Sequence, residues 1–192
     1  PPRFGSIAKV YVTQTTPQNQ GESLLSTNPL SISLYTLALN NTGKLTPTPY
    51  SLKENLKTYL SQFTMIADGV NILDAYIVNI GVRFEIVTLP TVSSRDVLLE
   101  CNRRLKEFFN INKWSINQPI NLSPAYTLLD GVKGVQTVET IEVFNKVGGN
   151  YSEYAYDVKG ATKKNVVYPS FDPCIFEVKF PDIDIEGRVT TL

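Results

Sequence analysis

Histidine is absent from this chain of 192 residues. Its absence excludes a Ser-His-Asp triad, a Cys-His pair and any zinc site with a histidine ligand. Cysteine is scarce too, because Cys101 and Cys174 are the only two and cannot form a structural zinc site by themselves. Two lone cysteines fit a reducing compartment. We expect Cys101 to be a core thiol on the apolar face of a helix, while Cys174 fits a buried or a reactive role. We therefore expect no cofactor and no metal.

The chain also lacks net charge, since its 18 basic residues balance its 18 acidic residues. Nucleic-acid-binding proteins carry an excess of positive charge, so we expect no nucleic-acid partner. No apolar run is long enough to cross a bilayer and no signal peptide opens the chain, so we expect no membrane partner. The only Met is Met65. We therefore expect a fragment of a longer protein or a processed product.

Hydrophobic residues make up 42% of the chain, which is enough for a globular core. Two helices are indicated by capping-box spacing before an apolar face of helical period. The first begins with Ser51 and Glu54, and the second begins with Ser93 and Asp96. Between them, alternating apolar residues over Tyr76–Thr88 predict a half-buried strand. A glycine in the middle of that strand, Gly81, predicts a bulge or a close backbone approach.

The stretch Pro119–Phe144 contains a helix start, a helix stop and a strand. Ser123 is predicted to cap the helix, with a proline directly after it at the first helical position. Gly131 is predicted to take the left-handed conformation at the end of the helix, and Gly134 to make a second bend. In the strand that follows, the apolar phase slips within Val138–Ile141, which predicts a β-bulge.

The rest of the chain carries no helix signal. We predict a tyrosine-rich strand over Tyr151–Val158, another strand over Ile175–Phe180, and a polar tail over Asp182–Leu192. The fold class is α+β: a mixed, largely antiparallel sheet with two main helices on one face, in a split β-α-β-like core, plus a small C-terminal β region. The predicted domains are an α+β domain over 1–145 and a β-rich region over 146–192.

No motif in the chain predicts catalysis. Gly131 and Gly134 are too close together for a phosphate-binding loop, and a helix precedes them where a nucleotide fingerprint needs a strand. Asp182, Asp184 and Glu186 precede a glycine but lack the rest of a calcium loop. Carboxylate pairs for glycoside hydrolysis meet only in the folded chain, so the sequence leaves them open. We predict no catalytic residue and no small-molecule substrate.

Aromatic residues crowd the C-terminal quarter of the chain. They suit the core of a small β region and a protein interface equally well, because tyrosine offers broad amphipathic contact at low entropic cost. A short β region has too little interior for all of them, so we expect some to face a partner. The candidate partner-binding residues are Tyr151, Tyr154, Tyr156, Tyr168 and Phe171.

Three segments together resemble a known family. They are DAYIVNIGVRFEIV (74–87), the block I-x-x-S-x-x-Y-x-x-(L/I)-x-x-V-x-G-V, and the C-terminal YSEYAYDVKG…DIDIEGRV (151–189). The chain resembles the baseplate-J-like family of contractile phage tails and, more specifically, the C-terminal end of the baseplate wedge proteins of T-even-like phages. The block is carried here by Ile120, Ser123, Tyr126, Leu129, Val132, Gly134 and Val135.

The resemblance implies a structural protein with no catalytic motif. It implies self-association, as a homodimer or through ring contacts, and binding to other baseplate wedge proteins in a ring around the tail tube. It implies a location in the virion tail baseplate, with assembly in the host cytoplasm, and a large N-terminal region that this chain lacks. Two alternatives remain open: a tail-associated module that binds host glycans through the tyrosines, and a wall-degrading enzyme that uses paired carboxylates.

Overall fold

The computed structural model describes residues 7–14, 31–63, 69–169 and 173–190. Contacts divide the chain into two compact units, Pro1–Ala75 and Tyr76–Leu192. Each unit contains helix and sheet, so the α+β class is confirmed. The boundary predicted between residues 145 and 146 differs from this division. The two long helices, expected on one face of a single sheet, belong to different units.

Unit 1 is a four-stranded mixed sheet with one helix. The second strand lies in the middle: it pairs antiparallel with the first and third strands and parallel with the fourth. Leu37 and Leu45 are buried in this unit. Its elements are β1 (Lys9–Gln14), β2 (Ile32–Leu39), β3 (Leu45–Pro47), α1 (Tyr50–Leu60) and β4 (Val70–Asp74).

Helix α1 begins differently from the sequence prediction. Pro49 occupies the N-cap position, and its carbonyl accepts from the N–H groups of Leu52 and Lys53 at 3.0 and 3.1 Å. Ser51 is therefore already inside the first turn, and no side chain caps this end. The predicted Ser51–Glu54 capping box is wrong because the proline, with its fixed φ, starts the helix earlier. No residue of α1 is buried.

Unit 2 is built around one long strand, β5 (Tyr76–Thr88). One edge of β5 pairs antiparallel with β7, and the other pairs parallel with β10 and then β11. A small three-stranded sheet joins β6, β9 and β8. The further elements are α2 (Ser94–Phe108), a 3-10 helix (Ile111–Lys113), β6 (Ile120–Asn121), α3 (Ser123–Asp130), β7 (Val135–Asn145), α4 (Val158–Ala161), β8 (Thr162–Lys163), β9 (Val166–Val167), β10 (Cys174–Glu177), α5 (Pro181–Asp184) and β11 (Ile185–Thr190).

The placement of β10 and β11 explains why the observed division is not at residue 145. Residues after 145 supply two of the strands of the central sheet, so they do not form a separate β region. The predicted strand over Tyr151–Val158 is wrong, because no strand lies there and α4 begins at its last residue. The predicted polar tail over Asp182–Leu192 is wrong as well, because α5 and β11 occupy it. The sequence pattern did not indicate β11, because its residues are partly buried on both faces and therefore alternate only weakly.

Strand β5 has the predicted bounds, but its burial differs from the prediction. Val78, Val82 and Phe84 are fully buried, as expected. The opposite face is covered too in the first half of the strand, where Ile77 and Asn79 are buried. The prediction of a half-buried strand is therefore correct only for the C-terminal half of β5. Lys146 and the Ser152 N–H, both in the segment after β7, lie against this face at Gly81 and Asn79.

Two predicted irregularities are found in this sheet. A Cβ atom at Gly81 would lie 2.5 Å from the Phe144 ring, so the predicted close approach is confirmed. The register between β5 and β7 shifts between Glu85 and Ile86, whose partners are Thr140 and Val138. One residue of β7, between these two partners, therefore has no counterpart on β5. It lies within Val138–Ile141, where the slip was predicted, so the predicted bulge is confirmed.

Helix α2 begins where it was predicted to begin, and it packs closely on strand β11. The Ser93 hydroxyl accepts from the Asp96 N–H, so this predicted helix start is confirmed. Val97, Cys101 and Leu105 form its buried face, which confirms Cys101 as a core thiol. A Cβ atom added at Gly187 of β11 would lie 2.3 Å from the Phe84 ring and 2.7 Å from Leu98 Cδ1.

We expect Gly187→Ala to destabilise the chain by about 1–3 kcal/mol, because the new methyl group overpacks a core with no free space. The measurement is urea unfolding followed by circular dichroism. Gly131→Ala is the matched control, since Gly131 has a φ of −75° and the nearest atom to its added Cβ is 3.5 Å away. That control should be neutral or slightly stabilising. Equal midpoints for the two variants would contradict the packing.

The ends of α3 correct two predictions. The N–H of Ser123 donates to Asn121 Oδ1 at 3.0 Å, and no side chain caps from the N-cap position, Leu122. The asparagine, not the Ser123 hydroxyl, therefore satisfies the start of the helix. Gly131 is not left-handed, whereas Gly134 has a φ of +100°. The left-handed turn thus comes three residues later, where glycine also fits against Val97 and Val92.

Candidate interaction site

The segment after β7 is held by a buried carboxylate at the end of α5. Asp184 is fully buried and accepts from the Tyr151 hydroxyl at 2.6 Å, from the Phe180 N–H at 2.7 Å and from Lys146 Nζ at 3.0 Å. Burial and the hydrogen bond to Asp184 raise the pKa of Tyr151. Burial alone would lower the pKa of Lys146, but the hydrogen bond and charge of Asp184 outweigh it and raise the pKa.

A second buried polar group holds the same segment from β5. Asn79 is 1% exposed; its amide nitrogen donates to Glu177 at 2.9 Å, and its amide oxygen accepts from the Ser152 N–H at 2.7 Å. Asn145 in turn accepts from the Tyr156 N–H at 2.9 Å. Residues 151–156 lack regular structure but are fixed by these side-chain bonds.

The five predicted partner-binding residues are not brought together. Tyr151 is half-buried against Phe180 and Asp184. Tyr156 is 6% exposed, donates its hydroxyl to the Tyr168 carbonyl and packs edge-on against Phe176. Phe171 lies outside the described residues. Tyr154 and Tyr168 are exposed, at 43% and 48%, so these two side chains are placed as an interface would require.

Tyr154 forms an exposed aromatic pair with Tyr76. The ring centroids are 5.0 Å apart and the ring planes meet at 88°, an edge-to-face geometry that is favourable for aromatic rings. Tyr76 is 38% exposed although it opens the central strand. The alternation over Tyr76–Thr88 places Tyr76 on the same face as the buried Val78 and Val82, yet its ring is partly exposed. Its position at the first residue of the strand is the signal that could have revealed it.

The carboxylates near the C-terminus face different partners. Asp182 pairs with Lys106 at 2.5 Å, Glu186 pairs with Arg83 at 3.1 Å, and Asp184 points inward. Within the described ranges, no group of three or more potential ligands could hold a metal ion. Cys101 and Cys174 are both buried and unbridged, and burial raises the pKa of the Cys101 thiol to about 11.

The exposed face of α2 carries a small ion-pair network. Glu100 accepts from Arg103 at 2.7 Å and from Arg104 at 3.0 Å. Hydrogen bonds from Arg103 and then Arg104 lower the pKa of Glu100 to about 2. Such exposed pairs contribute little to stability. The charges are matched to each other on this face, as expected for a solvated helix surface.

None of the helices in the described part of the chain is long and apolar enough to cross a membrane.

Comparisons with known proteins place the chain in no family. No family model matches it, and no curated protein matches it. Among solved structures, it is similar to a chain of the cryo-EM structure of the anti-feeding prophage (AFP) baseplate, 6-fold symmetrised, with 10% sequence identity and a TM-score of 0.44. The match covers 84% of this chain and 29% of that chain. A likeness of this extent carries no argument about function.

Proposed function

We propose that this chain is a non-enzymatic structural protein of a contractile-tail baseplate wedge, which self-associates and binds other wedge subunits to form the ring around the tail tube. The exposed aromatic pair of Tyr76 and Tyr154 carries the proposal on the structural side. Large aromatic side chains left partly exposed are typical of protein interfaces. The buried bonds at Asn79 and Asp184 hold the neighbouring segment in place, which limits the ordering cost of binding.

The resemblance to baseplate wedge proteins supports the biological setting of the proposal. The residues that carry its central block serve packing: Ile120, Leu129 and Val132 are buried, and the Tyr126 hydroxyl accepts from the Ile141 N–H at 2.9 Å. The location in the virion tail baseplate, and assembly in the host cytoplasm, belong to the same proposal. A block devoted to packing suits a rigid assembly module.

Self-association of the intact chain should depend on the aromatic pair. We expect association at micromolar concentration in sedimentation velocity, and we expect Tyr154→Ser to weaken it about 30-fold, since an interface hot spot contributes about 2 kcal/mol. Leu99→Ser is the control, because Leu99 is 59% exposed on α2, outside the aromatic pair and outside unit 1. A strictly monomeric wild type that also fails to bind other wedge subunits would contradict the proposal.

Host-glycan adhesion is the alternative that the same tyrosines allow. Two rings at right angles present one face and one edge, so they do not form a flat stacking platform. Titration with lipopolysaccharide or cell-wall fragments, monitored by the NMR shifts of the Tyr76 and Tyr154 rings, distinguishes glycan adhesion from assembly. Saturable shifts in a chain that stays monomeric would favour adhesion over assembly.

A further inference from the structure

A groove of about 510 Å³ in unit 1 lies between β4 and α1. Four consecutive residues of β4, Val70–Leu73, form one wall, and Tyr50, Glu54 and Lys57 of α1 contribute to the other. Neighbouring residues of a strand point to opposite faces of the sheet. Ser33 of the neighbouring strand β2 lines the groove as well, so the groove extends from the face of the sheet to the edge strand β4.

The backbone along this edge has no strand partner in the described part of the chain, since β4 pairs only with β2. The Ile32 N–H donates to the Gly69 carbonyl at 2.8 Å. Alternate residues bond to the same neighbour in a parallel ladder, so the N–H and C=O groups of Val70 and Ile72 point away from β2. An open edge of this kind is a template for another strand.

Helix α1, beside the same edge, has an apolar face with nothing packed deeply against it. Leu52, Leu56 and Leu60 recur at helical spacing, yet no residue of the helix is buried. Tyr50, at its first position, is 77% exposed. An amphipathic helix ordinarily buries its apolar stripe, so the leucine side of this helix is incompletely covered. A different side of the helix, with Tyr50, Glu54 and Lys57, lines the groove.

The charges beside the groove are suited to a second copy of the same surface. Lys53 is neutralised by Asp74 at 2.6 Å, whereas Glu54 and Lys57 form no ion pair with any described residue. They are three positions apart and share a side of the helix. A two-fold axis reverses their order, so each Glu54 meets the Lys57 of the other chain. A self-complementary patch is what an isologous contact requires.

We infer that β4 pairs antiparallel with β4 of a second copy of this chain, which extends the unit 1 sheet across two chains and brings the two α1 helices together. The inference rests on the proposed self-association and names a surface distinct from the aromatic pair. Each chain would then make two different contacts with its copies. Two contacts per chain are what a ring or an open array needs, whereas one isologous contact closes a dimer.

Charge reversal tests the β4 contact in the full chain carrying Tyr154→Ser, which removes the aromatic contact. We expect a residual dimer in sedimentation equilibrium at about 100 μM, within the range of weak association. Glu54→Lys and Lys57→Glu should each weaken it about tenfold, while mixing the two variant chains should restore it. Lys133→Glu, an exposed reversal in unit 2, is the matched control and should have no effect.

Hydrogen exchange provides an independent measurement. The amides of Val70 and Ile72 should gain protection as the chain concentration rises, while the Asn71 amide, directed toward β2, should be protected throughout. A Tyr154→Ser chain that is monomeric beside an associating wild type would overturn the β4 contact and leave the proposed function standing. A monomeric wild type would overturn both the β4 contact and the proposed self-association. Equal weakening by Lys133→Glu, or no restoration on mixing, would also overturn the β4 contact.

Discussion

Replacing Asp184 with alanine should destabilise the chain by about 3–5 kcal/mol. Removing one member of a buried pair leaves the other without compensation: Lys146 is 18% exposed at its side chain and would lose its anion. The Tyr151 hydroxyl and the Phe180 N–H would lose their acceptor as well. Because single domains are stable by only about 5–15 kcal/mol, the loss should be plain in urea unfolding.

Asp182→Ala is the matched control for that result. Asp182 is 87% exposed at its side chain and pairs with Lys106, so its removal should change stability by less than about 1 kcal/mol. A small effect of Asp184→Ala, similar to that of the control, would show that the carboxylate does not hold the segment after β7. Asp184 would then not be the group that holds Tyr154 in its exposed position.

A chain shortened to residues 1–145 should lose the fold of unit 2. It would lack β10 and β11, which pair with residues 76–79 and 82–87 of β5, and buried Ile175, Phe176 and Ile185 with them. Burying one large aliphatic or aromatic side chain contributes about 1.5–3 kcal/mol, so losing these three removes about 5–9 kcal/mol, which is comparable with the whole stability of a typical domain. We expect no native-like amide dispersion for residues 76–145 in an NMR spectrum.

The complementary chain, residues 76–192, distinguishes the two possible divisions. It retains every strand that pairs with β5 in the described sheet, so we expect it to fold and unfold cooperatively. If residues 1–145 instead fold as a stable domain with β5 ordered, the division predicted from the sequence would describe the chain better than the one at Ala75.

Local patterns predicted the elements that depend on nearby residues. Strand β5, the Ser93 helix start and the bulge on β7 follow from periodicity and capping, which act over a few positions. The C-terminal quarter was mispredicted because its structure depends on distant partners. Asn79 and Glu177 are 98 positions apart, and β11 is a strand because β5 offers it an open edge.

The candidate site was predictable only in part for the same reason. Aromatic excess indicated the right region, and Tyr154 and Tyr168 are exposed. Composition could not show that Tyr156 belongs to the core or that Tyr151 binds a buried carboxylate. Tyr76 lies 78 positions before Tyr154 in the sequence, so no spacing rule connects the two members of the aromatic pair. The open edge of β4 likewise depends on which strands pair.

The most direct test of the proposed assembly role is the area buried between copies of the chain in a crystal or cryo-EM structure of its associated form. We expect a contact that buries well over about 1,000 Å², the size of a specific interface, and that covers Tyr76 and Tyr154. Contacts that all stay below about 800 Å², as lattice contacts do, or that leave both tyrosine rings exposed, would contradict it.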